Sequence, residues 1–174
     1  MAVDTFISFK AGKSGMPEPK GESQDAAFKD ESAFEIKDWS FDIENQATLG
    51  SATGGAGTGK AKFNEFSITK PTDTASPIFF KNCVAGAHYE TVKLSLRKAG
   101  ADPNSSGKPF LVYQFKTVFT TKISWKNNTE EGPEETINFV YGELKIQYFK
   151  QDSAGQLSGS PQEVGWSQIT NKAT

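Results

Sequence analysis

Residues 50–63, GSATGGAGTGKAKF, hold the arrangement in this chain that comes nearest to a chemical motif. Gly54, four residues, then Gly59 and Lys60 make most of the G-x-x-x-x-G-K whose backbone amides cradle phosphate. That pattern needs Ser or Thr next, because the hydroxyl ligates magnesium, and it needs a helix to open behind it. Here Ala61 follows, and AKFNEFSITK reads as a short strand with an irregularity: Phe66 and Ile68 share one parity and Phe63 has the other. These departures set a nucleotide site aside. What remains is a flexible glycine-rich connection between two strands, longer than hairpin loops usually are, and its length calls for an explanation.

The other reactive residue types form no constellation. His88 is the single histidine, and with no second histidine or cysteine it makes a poor metal ligand or triad member. Cys83 is the single cysteine, so the chain has no internal disulfide, and its place in an apolar helical stretch reads as inert core. Glu130, Glu131, Glu134 and Glu135 crowd NNTEEGPEET, but without the D-x-[DN]-x-[DN]-G spacing of a calcium loop they read as solvated turn sequence. Asn104 and Asn127 open N-x-Ser/Thr triplets, which matter only in a secretory lumen. Nothing selects a carboxylate pair for glycoside hydrolysis. The expectation is a protein without catalytic residues, cofactor or metal.

Composition narrows the partners. In 174 residues, 19 Lys plus Arg stand against 21 Asp plus Glu, and the net charge of -2 supplies no electrostatic reason to bind nucleic acid or an anionic membrane. No apolar run approaches the roughly 18 residues a membrane span needs. The amino terminus, MAVDTFISFK, carries Asp4 where a signal peptide is basic and then apolar. A single domain over residues 1–174 is expected, with the 14 phenylalanines supplying much of its core.

The elements that must position any site are mostly strands. VDTFISF starts the sheet, and AGKSGMPEPKGES follows as a loop by its Gly and Pro content. In FEIKDWSFDIE, Phe34 and Ile36 share one parity while Trp39, Phe41 and Ile43 share the other, which places a bulge near Lys37 and Asp38. FLVYQFKTVFTTKISW keeps Leu111, Tyr113, Phe115, Phe119, Ile123 and Trp125 on one parity and is long enough to bend or break near Thr117. TINFVYGELKIQYF switches parity at Gly142, from Ile137, Phe139 and Tyr141 to Leu144, Ile146 and Tyr148. DTASPIFFKNCVAGAH predicts one short helix capped by Ser76, with Pro77 at its first position, Gly86 past its end, and Ile78, Phe79 and Cys83 on the sheet. Several bulged, alternating strands predict an antiparallel β-barrel, since closure removes edges and bulges supply curvature.

The order MAVDTFISF, KGESQD, EIKDWSF, a glycine-rich loop, FSITKPTDTASP, NCVAGAHYETVKLSLRKAG, ETINFVYGELKIQY and GWSQITNK resembles the haemolysin-coregulated protein (Hcp) family, the tube proteins of bacterial type VI secretion. The resemblance runs from Met1 to about Lys172, and AGKSGMPE and ADPNSSGKP depart from it as loop insertions. It implies hexameric rings that stack into a hollow tube beneath a spike, inside a contractile sheath, with small effector proteins in the lumen. It implies no catalysis, and a subunit that is cytoplasmic until it is exported without a cleavable signal. Gly50, Ser51, Gly54, Gly55, Gly57 and Gly59 then correspond to an extended loop reaching from one ring to the next. With Trp39, Phe41 and Ile43 turned to the core, alternation sends Ser40, Asp42 and Glu44 to the opposite side, which in such a ring lines the lumen. Two other readings stay open: a free-standing β-barrel binding module that stacks carbohydrate on Trp39, Trp125 or Trp166, and the tube protein of a related phage-like contractile device.

Overall fold

Phe and β-branched residues alternating with polar ones draw most of the chain into strands. The computed structural model describes residues 3–12, 16–45, 47–48, 57–58, 60–98, 108–152, 157 and 159–174. In chain order the elements are β1 (Val3–Ala11), a 3-10 turn (Lys29–Glu31), β2 (Phe34–Glu35), β3 (Asp38–Ser40), β4 (Ile43–Glu44), β5 (Ala47–Thr48), β6 (Gly57–Thr58), β7 (Lys62–Phe63) and β8 (Phe66–Pro71). Then come the helix α1 (Ser76–Ala85), β9 (His88–Lys98), β10 (Leu111–Asn128), β11 (Gly132–Tyr148), β12 (Gln162–Ser167) and β13 (Lys172–Ala173). Nine strands form one sheet along β13-β12-β11-β10-β9-β1-β2, with β8 also paired to β11 and β3 to β8. The pairings are antiparallel throughout.

The parity switches seen in the sequence are the places where strands change partners or bend. The segment after Phe34 leaves β1 for β8: Ile36 N donates to Thr5 O, and Lys37 N donates to Thr69 O. In β10 the switch falls at Thr117, whose φ of 53° puts a β-branched residue in the left-handed region. It faces Gly142 of β11, where an added Cβ would lie 2.7 Å from Ile169 Cδ1 and 3.3 Å from Thr117 Cβ. A side chain there would have to push the end of the exposed Ile169 aside and crowd Thr117. The switch at Gly142 is as expected, with Tyr141 and Leu144 both buried. The single parity expected along β10 does not hold: past Thr117 the core residue is Val118, and Phe119 is exposed. Ile43 corrects the sequence reading as well. The chain leaves the sheet after Ser40, so Ile43 pairs only with Phe63 in a narrow ribbon and is 44% exposed, whereas Trp39 and Phe41 do pack on the core.

Aromatic rings dominate the core. Phe66 stacks on Phe115 with centroids 4.4 Å apart, and Phe9 meets Phe79 and Tyr89 edge-on, each at 5.1 Å. The helix lays Phe79 and Asn82 on this core, while Cys83 is half-buried and Gly86 ends it at φ 65°. Ser76 is not the cap. Ala75 occupies that position, Asp73 Oδ1 accepts from Ala75 N at 2.9 Å, and Ser76 Oγ instead donates to Glu135 Oε1 at 2.8 Å.

That Glu135 overturns the reading of the acidic cluster as solvated. β11 extends back to Gly132, so Glu134 turns outward to Lys37, as Glu131 in the preceding turn also does, and Glu135 turns inward opposite Lys70 of β8. Both inward side chains are fully buried. Lys70 Nζ lies 2.8 Å from Glu135 Oε1 and 2.8 Å from Asp73 Oδ2, and it sits 5.2 Å and 5.6 Å from the ring centroids of Phe34 and Phe79. Glu135 Oε2 accepts from Trp125 Nε1 at 3.0 Å.

Residues 16–33 cover the outer side of β1. Phe28 stacks on Phe6 at 4.1 Å, and Arg97 lies over both rings while its guanidinium takes Asp25 at 2.6 Å and 3.0 Å and Asp4 at 2.9 Å. The hydrogen bonds from Arg97 hold the Asp25 carboxyl below its usual range.

Two predictions follow from these pairings. Lys70→Met leaves a buried carboxylate without its cation and is expected to destabilise the subunit by about 3–5 kcal/mol in urea unfolding, with Lys70→Met/Glu135→Met recovering most of the loss. For Asp25, the depressed folded pKa means that the unfolded state takes up the proton first, so the stability it contributes is present at neutral pH and drains away as the solution is acidified. Melting temperature should therefore fall more steeply from about pH 5 to about pH 2 in the unaltered protein than in Asp25→Asn.

Candidate functional site: a polar sheet face and a glycine ribbon

Where β3, β8, β11 and β10 lie side by side, alternation gives them one face on the core and one on solvent. Register places the solvent-side residues in rows across the four strands. One row is Ser40, Ser67, Asn138 and Lys122, and the next is Asp38, Thr69, Thr136 and Ser124. Each row is made of polar side chains, mostly short hydroxyls. Thr69 Oγ1 and Thr136 Oγ1 share a hydrogen bond at 3.1 Å. Glu65, just ahead of β8, accepts from Asn138 Nδ2 at 2.9 Å and from Thr121 Oγ1 at 2.8 Å, and these bonds hold its carboxyl below the usual range.

Of the expected lumen residues, Ser40 stands in this face, exposed and opposite Ser67, while its neighbour Trp39 packs on Phe41 and Tyr113 at 5.8 Å and 5.4 Å. Asp42 and Glu44 are exposed too, but they stand beyond the sheet at the base of the ribbon. Asn64 gathers them: its Nδ2 donates to Asp42 Oδ2 at 2.5 Å and to Glu44 Oε1 at 3.3 Å, and its N donates to Asp42 O. Ser67, Thr69, Thr136 and Asn138 were not singled out in the sequence, although the alternation in FSITK and TINF carries them.

The ribbon consists of two short pairings, Ile43–Glu44 with Lys62–Phe63 and Ala47–Thr48 with Gly57–Thr58. Gly57 therefore lies in β6, and Gly50, Ser51, Gly54, Gly55 and Gly59 lie outside the described residues. Strand β7 follows Lys60, in place of the helix a phosphate loop would open.

A second solvent face, on β1 and β9–β12, is of different character. It carries the ion pairs Lys145–Glu163 at 3.1 Å, Lys116–Glu143 at 3.5 Å and Lys93–Glu31 at 2.8 Å. Chemistry-bearing residues are dispersed. His88 is half-buried 5.4 Å from the Phe119 ring, Cys83 lies on α1, and burial pushes the Tyr141 hydroxyl up to about 12. Among the described residues no group of three His, Cys, Asp or Glu side chains could hold a metal ion.

The family model described as "Type VI secretion system effector, Hcp" matches residues 7–148. Protein hcp1 of Pseudomonas aeruginosa is 29% identical over 167 residues, covering 95% of each chain. A solved structure of a type six secretion system protein superposes with a TM-score of 0.85 at 31% identity, covering 99% of this chain and 100% of that one. Hcp1 from Salmonella typhimurium, at 24% identity and a TM-score of 0.74 with 100% of both chains covered, shares the fold.

The ribbon base supplies a prediction of its own. Asn64→Ala removes hydrogen bonds from exposed carboxylates, so global stability should change by no more than about 0.5–1.5 kcal/mol. Amide hydrogen exchange at Ile43, Glu44, Lys62 and Phe63 should nonetheless accelerate, because these two-residue strands lose the side chain that ties their base together while Phe63 alone of the four packs on the core.

Proposed function

Because the chain belongs to the Hcp family of the type VI secretion system, we propose that it is a structural subunit of the secretion tube, built as one domain over residues 1–174, which forms hexameric rings that stack into a hollow, exported cylinder. The observation that carries this reading is the division of the surface into a wall of short hydroxyl and amide side chains and a ribbon leaving one end of it. On this reading the sheet closes into a barrel through residues 34–40, and what supports it is that Phe34 and Glu35 pair with β1 while Asp38, Trp39 and Ser40 pair with β8. Heterologous contacts between neighbouring barrels generate a ring when the rotation closes. The polar wall then faces the channel with Ser40 in it, while Asp42 and Glu44 stand beyond its end at the base of the ribbon. Small, hydrated, weakly charged side chains let a cargo protein lie against the wall without being held there.

Gly50, Ser51, Gly54, Gly55, Gly57 and Gly59 make the inter-ring loop, where glycine lets backbone lie close against another subunit. Spike and sheath proteins are its partners in the apparatus, and small effectors are its cargo. The subunit acts without catalysis or cofactor and is exported from the cytoplasm.

Native mass spectrometry at micromolar concentration and neutral pH should give a hexamer, and monomer alone would overturn the ring. Ser40→Arg repeats a long cation around the channel, so rings of unchanged mass should lose most of the cognate effector in a pull-down. Equal recovery by Ser40→Arg and unaltered rings would remove Ser40 from the channel wall. Shortening residues 50–59 to a tight turn should leave the melting temperature nearly unchanged, since loop-closure entropy varies by only about 0.6 kcal/mol per doubling of length. Stacking and export should be lost.

A further inference from the structure

A polar atom buried without a partner gives up its hydrogen bonds to water for nothing, so a stable fold leaves few of them. Among the described residues, the side-chain atoms in this condition are Asn82 Oδ1, Thr120 Oγ1 and the Tyr141 hydroxyl. The charge that acts on the Tyr141 hydroxyl is that of Asp42, at the ribbon base. Asn82 and Thr120 instead converge on one group, the hydroxyl of Tyr89.

Helix and sheet bring these three side chains together. Val118 of β10 pairs with Tyr89 of β9, and Thr120, two residues on, shares the inward parity of Val118, which sets it diagonally across from Tyr89. Asn82 comes from α1, on the same face as Phe79. Its Nδ2 lies 3.2 Å from the Tyr89 hydroxyl and 3.2 Å from Pro17 O. Tyr89, Asn82 and Thr120 are 1%, 2% and 7% exposed, so bulk solvent does not reach them.

Donors and acceptors among the three do not balance. The Pro17 carbonyl accepts and cannot donate, which fixes the Asn82 amide with Nδ2 towards it and leaves Oδ1 in need of a donor. The Tyr89 oxygen accepts from Asn82, so its own proton still needs an acceptor. Burial pushes that hydroxyl above its ordinary range, with Asn82 and Thr120 offsetting part of the rise, and the proton stays on at neutral pH. Thr120 Oγ1 can donate or accept. All three groups are uncharged, which selects a neutral ligand over an ion. We propose that a buried water molecule is bound among Asn82, Thr120 and Tyr89, accepting from the Tyr89 hydroxyl, donating to Asn82 Oδ1 and sharing its remaining capacity with Thr120 Oγ1. Buried waters make about three such bonds, to groups that otherwise go unsatisfied. This molecule joins α1, β9 and β10 in one polar node, and through Asn82 it also fastens the chain at Pro17.

A high-resolution crystal structure of the unaltered protein should show an ordered water about 2.5–3.2 Å from all three atoms. Thr120→Val, close to threonine in shape, puts the same question in solution. If the water is there, the valine removes one of its anchors and the melting temperature should fall; if the hydroxyl is unpartnered, its removal should raise the melting temperature. Tyr89→Phe should lower it as well. Thr120→Val/Tyr89→Phe should lower it by less than the two separate changes added together, because both act on one molecule. No water at that place, a direct Tyr89–Thr120 hydrogen bond instead, or a melting temperature unchanged or raised in Thr120→Val would each overturn the proposal.

Discussion

The buried pair of Lys70 and Glu135 is the constraint on which the far half of the molecule depends. Two charges taken out of water cost several kcal/mol each, and their attraction offsets this only when the remaining donors and acceptors are also satisfied. Here they are: Lys70 reaches Glu135, Asp73 and Pro71 O, and Glu135 receives Lys70, Ser76 and Trp125. One pair thereby joins β8 to β11, α1 to the sheet and the tip of β10 to the core. A slip of one residue between β8 and β11 would put Lys70 and Ile68 on the face opposite Glu135 and Ile137 and leave one charge buried without the other, so the pair specifies register as much as it stabilises.

A second constraint, the bend at Thr117 and Gly142, produces two different surfaces from one sheet. Before the bend, β10 and β11 lie between β9 and β12 and present paired Lys and Glu outward; after it, β11 lies between β10 and β8 and presents hydroxyls and amides. The left-handed Thr117 and the close contact of Ile169 on Gly142 hold this change of direction. Strain of this kind, about 1–3 kcal/mol for a non-glycine residue, persists where the surrounding packing over-determines it.

These same particulars mark what the sequence could tell. Strand periodicity located the switch at Gly142 and the departure near Lys37, because a parity change is a local signal that survives into the fold. It failed at Phe119 and Ile43, where the deciding facts are a left-handed backbone and a chain leaving the sheet, and neither has a residue signature of its own. Glu135 was read with its acidic neighbours because Lys70 is distant in sequence and only the β8–β11 register brings them together. Ser76 went to an expected capping role for the same reason: its partner Glu135 lies 59 residues away. Ser40 was legible as an outward residue once Trp39 was fixed inward, whereas Asp42 and Glu44 depend on where the sheet ends. Most of the glycine loop lies outside the described residues, and its assignment rests on the family pattern.

The internal charges also explain how function is apportioned between core and surface. Lys70, Glu135, Arg97 and Asp25 are each tied to opposite charge and to aromatic or backbone partners, which makes them structural fasteners. What the fold offers other molecules is shape: a polar wall of short side chains, a charged face, and two ends that differ. The network around Glu135 fixes Trp125 at the end of the sheet away from the ribbon. The ribbon at the other end is built from two-residue pairings, with Phe63 packed against the Tyr141 ring at its base, so far less of the core holds it than holds Trp125.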